Sequence, residues 1–247
     1  MKISIITATY NSDKTIVDCL NSVFSQTYKN FEVIIIDGLS TDNTLKLVSS
    51  FSSDVRIFSE FDNGLYDAMN KGIELATGDV VAILNSDDLF FSNDILELIV
   101  SKFKLDQNLD IIYGNIVYVE QSNTNKIVRK WVSKNYYKNY FEDGNVPPHP
   151  SLFLRKRVYE SAGKFNLDLK LASDYDFMLR IFKKFDFNSL FINRYIVKMR
   201  LGGATNKTYL NIIKQNIEIL NSWKLNNLRA PFYLFPKRIL LRLRQFL

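Results

Sequence analysis

Cysteine is almost absent from this chain, since Cys19 is the only one among 247 residues. A single cysteine excludes an intramolecular disulfide and a cysteine-based zinc site. The N-terminal segment lacks the hydrophobic length and the small-residue cleavage site of a signal peptide. We therefore expect a cytoplasmic protein whose first segment is a β-strand.

Two glycine motifs that bind phosphate are also missing. No G-x-x-x-x-G-K-[ST] motif occurs in the chain, and no G-x-G-x-x-G follows the first predicted strand. Their absence disfavours a P-loop kinase and a Rossmann dehydrogenase.

Acidic residues are absent from the last 27 residues, which explains the net charge of +6. All 26 acidic residues and 26 of the 32 basic residues lie in positions 1–220 and balance each other. A protein that binds nucleic acid would carry its charge on a folded face, and no known DNA or RNA motif is present. We expect no nucleic-acid partner.

Apolar runs rich in β-branched residues alternate with helical patterns along the first half. KISIITATY, FEVIIIDG, VRIFSE and DVVAILN predict four strands. This alternation is typical of an α/β fold with a mostly parallel central sheet between layers of helices. Further along, DIIYGNIVYVEQSNTNKIVRKWV predicts an antiparallel hairpin, and SDYDFMLRIFKKF predicts a helix with Ser173 as its N-cap.

Acidic side chains follow three of these strands, and we expect them to converge because ligands bind at the carboxyl ends of parallel strands. They are Asp37, Asp62, Asp87 and Asp88. Clustered carboxylates suit Mg²⁺ or Mn²⁺, which complete their shells with water and substrate phosphates. An acidic pair before a helix often only caps it, but Ser92 and Asn93 are predicted to supply that cap.

Several of these segments together resemble the inverting family-2 glycosyltransferases of the GT-A fold. The resemblance is carried by IITATYN, IIIDGLSTDNT, SEFDNGLYDAMNKGIELATGDVVAILNSDD and ASDYDFMLRI, in this order. SEFDNGLYDAMNKG and PPHPSLF are most similar to bacterial members that build surface polysaccharides. The resemblance implies a GT-A domain over residues 1–205, with a nucleotide-binding half (1–105) and an acceptor-binding half (106–205), and a basic helical extension over 206–247.

The resemblance also implies a donor site. Its residues would be Thr7, Ala8 and Tyr10 along the nucleotide base, Asp37 bonded to the base, Asp62 and Lys71 bordering the nucleotide, and Asp87 facing the ribose and donor sugar. Asp88 would be the direct metal ligand. The sequence has Asn85 where the family's D-x-D-D form begins with aspartate, and Lys71 could equally be a solvated helix residue.

Asp174 matches the position of the family's catalytic base, although Ser173 precedes it where glutamate is usual. A carboxylate at a helix N-terminus stays ionised at neutral pH, but such a residue can also serve only as a cap. His149, the only histidine, lies in the proline-rich segment PPHPS. It is either structural or a contact to the diphosphate or the metal.

The last 27 residues of the extension combine six basic residues with leucine and aromatic side chains. A helix from Pro236 onward would place apolar and basic residues as in helices that lie on anionic membranes, so residues 223–247 are a candidate for peripheral membrane contact. Packing on the domain or on a second subunit, in a homodimer, is the alternative.

Together these features predict a metal-dependent inverting glycosyltransferase. It would move a sugar from a nucleoside-diphosphate sugar to an acceptor hydroxyl, on a glycan or lipid-linked acceptor, at the inner face of the cell membrane. A sugar-phosphate nucleotidyltransferase is less favoured, because TATYNSDKT contains no glycine. A non-catalytic nucleotide-sugar-binding protein is a third hypothesis.

Overall fold

The computed structural model describes residues 1–51, 55–202 and 209–245. Its central element is a nine-stranded β-sheet. The strands are β1 (Ile3–Thr9), β2 (Phe31–Asp37), β3 (Val55–Ser59), β4 (Val80–Ile83), β5 (Leu89–Phe90), β6 (Leu109–Val119), β7 (Ile127–Trp131), β8 (Phe153–Arg155) and β9 (Asn188–Arg200). The helices are α1 (Ile16–Phe24), α2 (Thr44–Ser49), α3 (Leu65–Leu75), α4 (Ile95–Leu105), α5 (Lys156–Ala162), α6 (Ser173–Lys183), α7 (Tyr209–Leu225) and α8 (Leu234–Arg244), with a short 3₁₀ turn at His149–Ser151.

The strand order is β3-β2-β1-β4-β8-β6-β9-β5, and β7 pairs with β6. The first four strands pair in parallel, which places the carboxyl ends of β1, β2 and β4 at one edge. The pairing of β8 with β4 and β6 is antiparallel, and so is the predicted β6–β7 hairpin. The predicted α/β fold is confirmed, and its parallel pairs are those of the first four strands together with the pair of β6 and β9.

Both faces of the sheet are covered, as the continuous apolar strands predict. In α1, the buried residues Ile16, Cys19, Leu20 and Val23 form one stripe that packs against one face. On the other face α3 lies so close to β1 that a Cβ at Gly72 would overlap the side chain of Ile6. Glycine at this position therefore permits the close contact between helix and sheet.

Two helix caps differ from prediction. The N-cap of α4 is Asp94, to which the Ser92 hydroxyl donates, so the predicted caps Ser92 and Asn93 are wrong. The N-cap of α6 is Ala172, and Ser173 is instead the first helical residue, with its hydroxyl bonded to a loop carbonyl. In both cases the serine hydroxyl that was expected to cap the helix bonds to another nearby residue instead.

The C-terminal extension packs on the rest of the protein. Trp223 Nε1 donates to the Tyr175 hydroxyl at 2.9 Å, and Lys237 pairs with Asp143 at 2.6 Å. Helix α8 begins at Leu234, slightly before the predicted Pro236. No helix among the described residues is both long and apolar enough to cross a membrane. The predicted domain boundary at 205 and 206 lies outside the described residues and stays a prediction.

Candidate active site

A cleft of about 1770 Å³ opens at the edge where the parallel strands end. Its walls come from the loop after β1, the turn after β4, helices α3 and α6, strand β7 and the extension helix α8. Residues of both predicted halves and of the extension therefore surround one space. The predicted site residues that line it are Ala8, Tyr10, Asp62, Asp87, His149 and Asp174.

The loop after β1 forms one wall of the cleft. Ala8 and the largely exposed Tyr10 line it, whereas Thr7 is buried in the strand and its hydroxyl has no hydrogen-bond partner. Asn11 Oδ1 accepts a hydrogen bond from the Thr41 backbone N–H at 2.9 Å. This bond joins the β1 and β2 loops into one surface.

Asp37 is fully buried at the end of β2. Its Oδ2 accepts bonds from the Ser40 N–H at 3.0 Å and from the Ser59 hydroxyl at 2.7 Å, and Oδ1 accepts from the Ser40 hydroxyl at 2.5 Å. The carboxylate therefore braces the loop that borders the cleft. It is not among the side chains that line the cleft.

Asp62 and Lys71 take different positions although they are close in sequence. Asp62 lines the cleft, and its Oδ1 accepts a bond from the Gly64 N–H at 2.8 Å. Lys71 pairs with Glu60 at 2.9 Å and donates to the Phe61 carbonyl at 2.6 Å, away from the cleft lining. These contacts favour a role for Lys71 in stabilising the segment around Asp62 over a role in contacting a ligand.

A tight turn presents the acidic pair. The Asp88 N–H donates to the Asn85 carbonyl at 3.0 Å, which closes the turn directly after β4. Asp87 faces the cleft, while Asp88 is fully buried. Arg200, at the end of β9, donates to the Asp87 carbonyl at 2.8 Å and to Asp88 Oδ1 through its backbone N–H at 3.3 Å.

The electrostatics of this turn fit a divalent cation. Burial raises the pKa of Asp87, and burial together with the charge of Asp87 raises the pKa of Asp88 well above its usual range. Asn85 Oδ1 is buried and has no partner. The described residues contain no cluster of three or more metal-binding side chains, but Mg²⁺ and Mn²⁺ need only one or two protein carboxylates when a diphosphate supplies further ligands.

Asp174 also lines the cleft, at the second position of α6. His149 Nδ1 is 3.0 Å from its Oδ2, and the Tyr66 hydroxyl donates to its Oδ1 at 3.0 Å. Burial opposes ionisation of Asp174, but the charge and hydrogen bond of His149 and the bond from Tyr66 outweigh it and lower the pKa. The carboxylate is therefore ionised and held in one orientation.

Asp176, two residues further along α6, does not line this cleft. It is buried, and its carboxylate accepts bonds from Asn226 Nδ2 at 2.8 Å and from Arg180 at 3.3 Å. It links α6 to the extension.

Some residues of the cleft are not found by the sequence reasoning. Tyr66 lies in the segment SEFDNGLYDAMNKG, which is part of the resemblance, so a signal for it existed. Arg129 of β7 and the α8 residues Arg238 and Arg242 also line the cleft. Their only sequence signal is basicity in segments far from the matched motifs.

Solved structures share this arrangement of strands and helices. A TarS fragment from S. aureus in complex with UDP-GlcNAc superposes with a TM-score of 0.69 at 18% identity, covering 98% of this chain and 79% of that chain. Mannosyltransferase PcManGT from Pyrobaculum calidifontis, in complex with GDP-Man and Mn²⁺, gives 0.61 at 18% identity over 98% and 74% of the two chains. Against a longer TarS chain, the present chain spans 41%. The fold is therefore the GT-A fold of glycosyltransferases.

Sequence comparison then identifies the family. The model of glycosyl transferase family 2 matches residues 4–185, well over half of the chain, so the protein belongs to this family and is a glycosyltransferase. A PGL/p-HBAD biosynthesis glycosyltransferase of Mycobacterium bovis is 30% identical over 197 residues, which are 78% of this chain and 73% of that protein.

A second relative has a name that specifies its own donor and acceptor. The UDP-Glc:alpha-D-GlcNAc-diphosphoundecaprenol beta-1,3-glucosyltransferase WfgD of Escherichia coli is 37% identical over 133 residues. The shared region is 53% of this chain and 51% of WfgD. The relation therefore covers about half of each protein.

Proposed function

We propose that this protein transfers a sugar from a nucleoside-diphosphate sugar to the hydroxyl of a lipid-linked glycan, with inversion at the anomeric carbon. The observation that carries the proposal is that two carboxylate positions belong to one cleft: Asp87, with the buried Asp88 next to it, and Asp174. One position suits the diphosphate with its metal, and the other suits the attacking hydroxyl.

Asp174 is the proposed general base. It accepts the proton of the acceptor hydroxyl as the oxygen attacks the anomeric carbon, while the bond from that carbon to the diphosphate breaks on the opposite face. A carboxylate of lowered pKa is a weak base, so correct placement of the hydroxyl must supply much of the acceleration. Tyr66 and His149 hold the carboxylate for this contact.

Asp88, with Asp87 beside it, is the proposed holder of Mg²⁺ or Mn²⁺. When bound, the cation neutralises charge that develops on the departing diphosphate. Support comes from the raised pKa values of both carboxylates and from the Mn²⁺ in the PcManGT complex. Arg200 fixes the turn through its hydrogen bond to the Asp87 carbonyl.

The remaining predicted residues are proposed to serve the nucleotide in two ways. Ala8, Tyr10 and Asp62 face the cleft and are placed for direct contact. Thr7, Asp37 and Lys71 lie behind it, so we assign them to support of the binding loops. His149 keeps its predicted contact to the metal or diphosphate as an alternative, because only its Nδ1 is bonded to Asp174.

A lipid-linked acceptor agrees with the surface of the extension. Ile239, Leu240 and Leu243 of α8 are 62%, 52% and 60% exposed, and basic residues of the same helix flank them. Apolar and basic side chains on one helix suit an anionic membrane surface, where such an acceptor is found. We propose peripheral contact with the inner face of the cell membrane, testable by sedimentation with phosphatidylglycerol vesicles.

A homodimer also stays a prediction. Leu210, Ile213, Ile217 and Leu220 of α7 are exposed and spaced three and four residues apart, as in a seam between two helices. Analytical ultracentrifugation of the wild type and an Ile213→Glu, Ile217→Glu double variant tests it.

The central experiment measures transfer from UDP-Glc, UDP-GlcNAc and GDP-Man, with and without Mn²⁺. A short-chain prenyl-diphosphate GlcNAc is the acceptor, and NMR of the product reports the anomeric configuration. Asp174→Asn should lower the rate roughly 100- to 10,000-fold, the usual contribution of a general base. The exposed Asp168 provides the control variant Asp168→Asn, which should leave the rate unchanged. A fully active Asp174→Asn variant or a product of retained configuration would refute the assignment.

A further inference from the structure

Three arginines come together on the wall of the cleft formed by β7 and α8. Arg129 stacks on the ring of Tyr118 with 3.6 Å from its guanidinium carbon to the ring centre. Arg238 lies 5.0 Å from the centre of the Tyr175 ring, and Arg242 lines the same space. The Lys130 N–H donates to the Gln245 carbonyl at 3.2 Å, which ties the two elements together.

These cations lie near both carboxylate positions. Burial raises the pKa of Tyr118, whereas the charges of Arg129 and Arg242 lower it and that of Asp88 raises it, so both cations and Asp88 are near this ring. Arg238 in turn interacts with Arg242 and with Asp174. The three arginines therefore border the same cleft as Asp87 and the proposed base.

Like charges held together are unfavourable unless an anion joins them. Burial and the neighbouring charge of Arg242 both lower the pKa of Arg129 and of Arg238. Within the described part of the chain, neither Arg238 nor Arg242 forms an ion pair, and α8 itself contains no acidic residue. Both lie in the extension, beyond the residues 4–185 that match the family.

We propose that Arg129, Arg238 and Arg242 form a subsite for the diphosphate group of a substrate. Guanidinium groups bind phosphate oxygens through paired hydrogen bonds, and several of them can share one diphosphate. Two sources supply this chemistry, the diphosphate of the nucleotide donor and that of a prenyl-diphosphate acceptor. The proposal rests on the proposed function for the identity of the substrate, and it gives the C-terminal extension a part in binding.

Calorimetry on the full chain with two probes tests the subsite without turnover. The probes are UDP with Mn²⁺ and geranyl diphosphate, with geraniol as the neutral control. Arg242→Gln is the first variant because Arg242 is exposed and its loss should not unfold the protein. Arg238→Gln is the second, and the exposed Arg229, in the same extension but outside the cleft lining, provides the matched control Arg229→Gln.

We expect Arg242→Gln to weaken the binding of one of the two probes by about tenfold or more, as for loss of a charge-assisted hydrogen bond. Arg242→Lys should restore part of this affinity. Weaker UDP binding assigns the subsite to the donor, and weaker geranyl diphosphate binding with UDP unchanged assigns it to the acceptor. The proposal is overturned if the wild type binds neither probe, if both affinities are unchanged in the variants, or if Arg229→Gln has the same effect. Binding is read independently of transfer, so a missing transferase activity would not decide this result.

Discussion

The hydroxyl of Tyr66 lies 3.0 Å from Oδ1 of Asp174, although 108 positions separate the two residues in sequence. His149 occupies the other carboxylate oxygen at 3.0 Å. Helix α3 of the first half and the proline-rich loop of the second half thus both contact the side chain of Asp174. Orientation of the proposed base depends on both halves of the molecule.

Replacing Tyr66 by phenylalanine removes one of these bonds and keeps the ring. We expect kcat to fall about tenfold, the value of one hydrogen bond to a charged group. The bond lowers the pKa of Asp174, and the base must be ionised to accept a proton. The acid limb of the pH–rate profile should therefore move to higher pH. Steady-state assays must extend below about pH 4 to measure this shift, because the wild-type pKa lies below the ordinary carboxyl value.

Tyr195→Phe is the matched control, because Tyr195 packs on Phe91 outside the cleft lining. Its profile should coincide with that of the wild type. An unshifted acid limb in Tyr66→Phe would show that the hydroxyl does not influence the base.

His149 variants separate its two predicted roles. Asparagine can place an N–H near the position of Nδ1, so His149→Asn should retain more activity than His149→Ala if the side chain positions Asp174. We expect the activity of the His149→Ala variant to be roughly tenfold lower than that of the wild type. The Mn²⁺ concentration for half-maximal rate should stay constant in both. A large rise of this concentration would instead support the metal contact.

The fold was accessible from sequence because its signals are local. β1 and β2 consist almost wholly of buried residues, and α1 shows the periodicity of a helix with one buried face. The antiparallel hairpin of β6 and β7 follows from alternation around a turn. Caps were less predictable, since the Ser92 hydroxyl bonds to Asp94, which takes the cap position itself, and the Ser173 hydroxyl bonds to the carbonyl of Asn166 in the preceding loop.

The site was only partly predictable for a related reason. Positions after strands converge in any parallel sheet, so Asp62 and Asp87 could be placed in one cleft. Whether a side chain lines a cleft or braces it depends on contacts distant in sequence, as the bonds of Asp37 with Ser59 show. The position of Arg238 depends on how α8 packs, which no local pattern in the extension specifies.

Asp88→Asn should separate metal binding from stability. Transfer and the Mn²⁺-induced rise in Tm should both be lost. The metal-free variant should nevertheless be more stable at pH 7, because burial raises the pKa of Asp88 and its charged form therefore opposes folding. An asparagine amide can also donate to the unpartnered Asn85 Oδ1.

If Asp88→Asn raises the free energy of unfolding by about 1 kcal/mol, we expect its Tm to rise by about 2–4 °C. Calorimetry in the presence of EDTA measures this change. Asp168→Asn again serves as the control and should leave Tm and its response to Mn²⁺ unchanged. A metal-free Asp88→Asn variant less stable than the wild type would mean that the buried carboxylate is already compensated without a cation.

Glu32 leads to a prediction on stability that is independent of the site. It lies on β2, nearly buried, and accepts bonds from Ser4, Thr77 and Lys2 and from Arg56. Burial raises its pKa, but these bonds outweigh that effect and lower the pKa from 4.5 to about 2. A lowered pKa stabilises the folded state above the ordinary value, and this stabilisation is lost as the pH falls towards 2.

Glu32→Gln should therefore reduce the free energy of unfolding by about 2 kcal/mol at neutral pH, less than the full shift because the lysine and arginine partners are partly exposed to solvent. Urea unfolding of both proteins between neutral and acid pH should show the difference shrinking steadily as the pH falls below 4.5. The exposed Glu160 offers the control Glu160→Gln, which should match the wild type throughout. A difference that stays constant over this range would mean that the bonds act equally on the protonated carboxyl, and that the charge of Glu32 contributes nothing to folding.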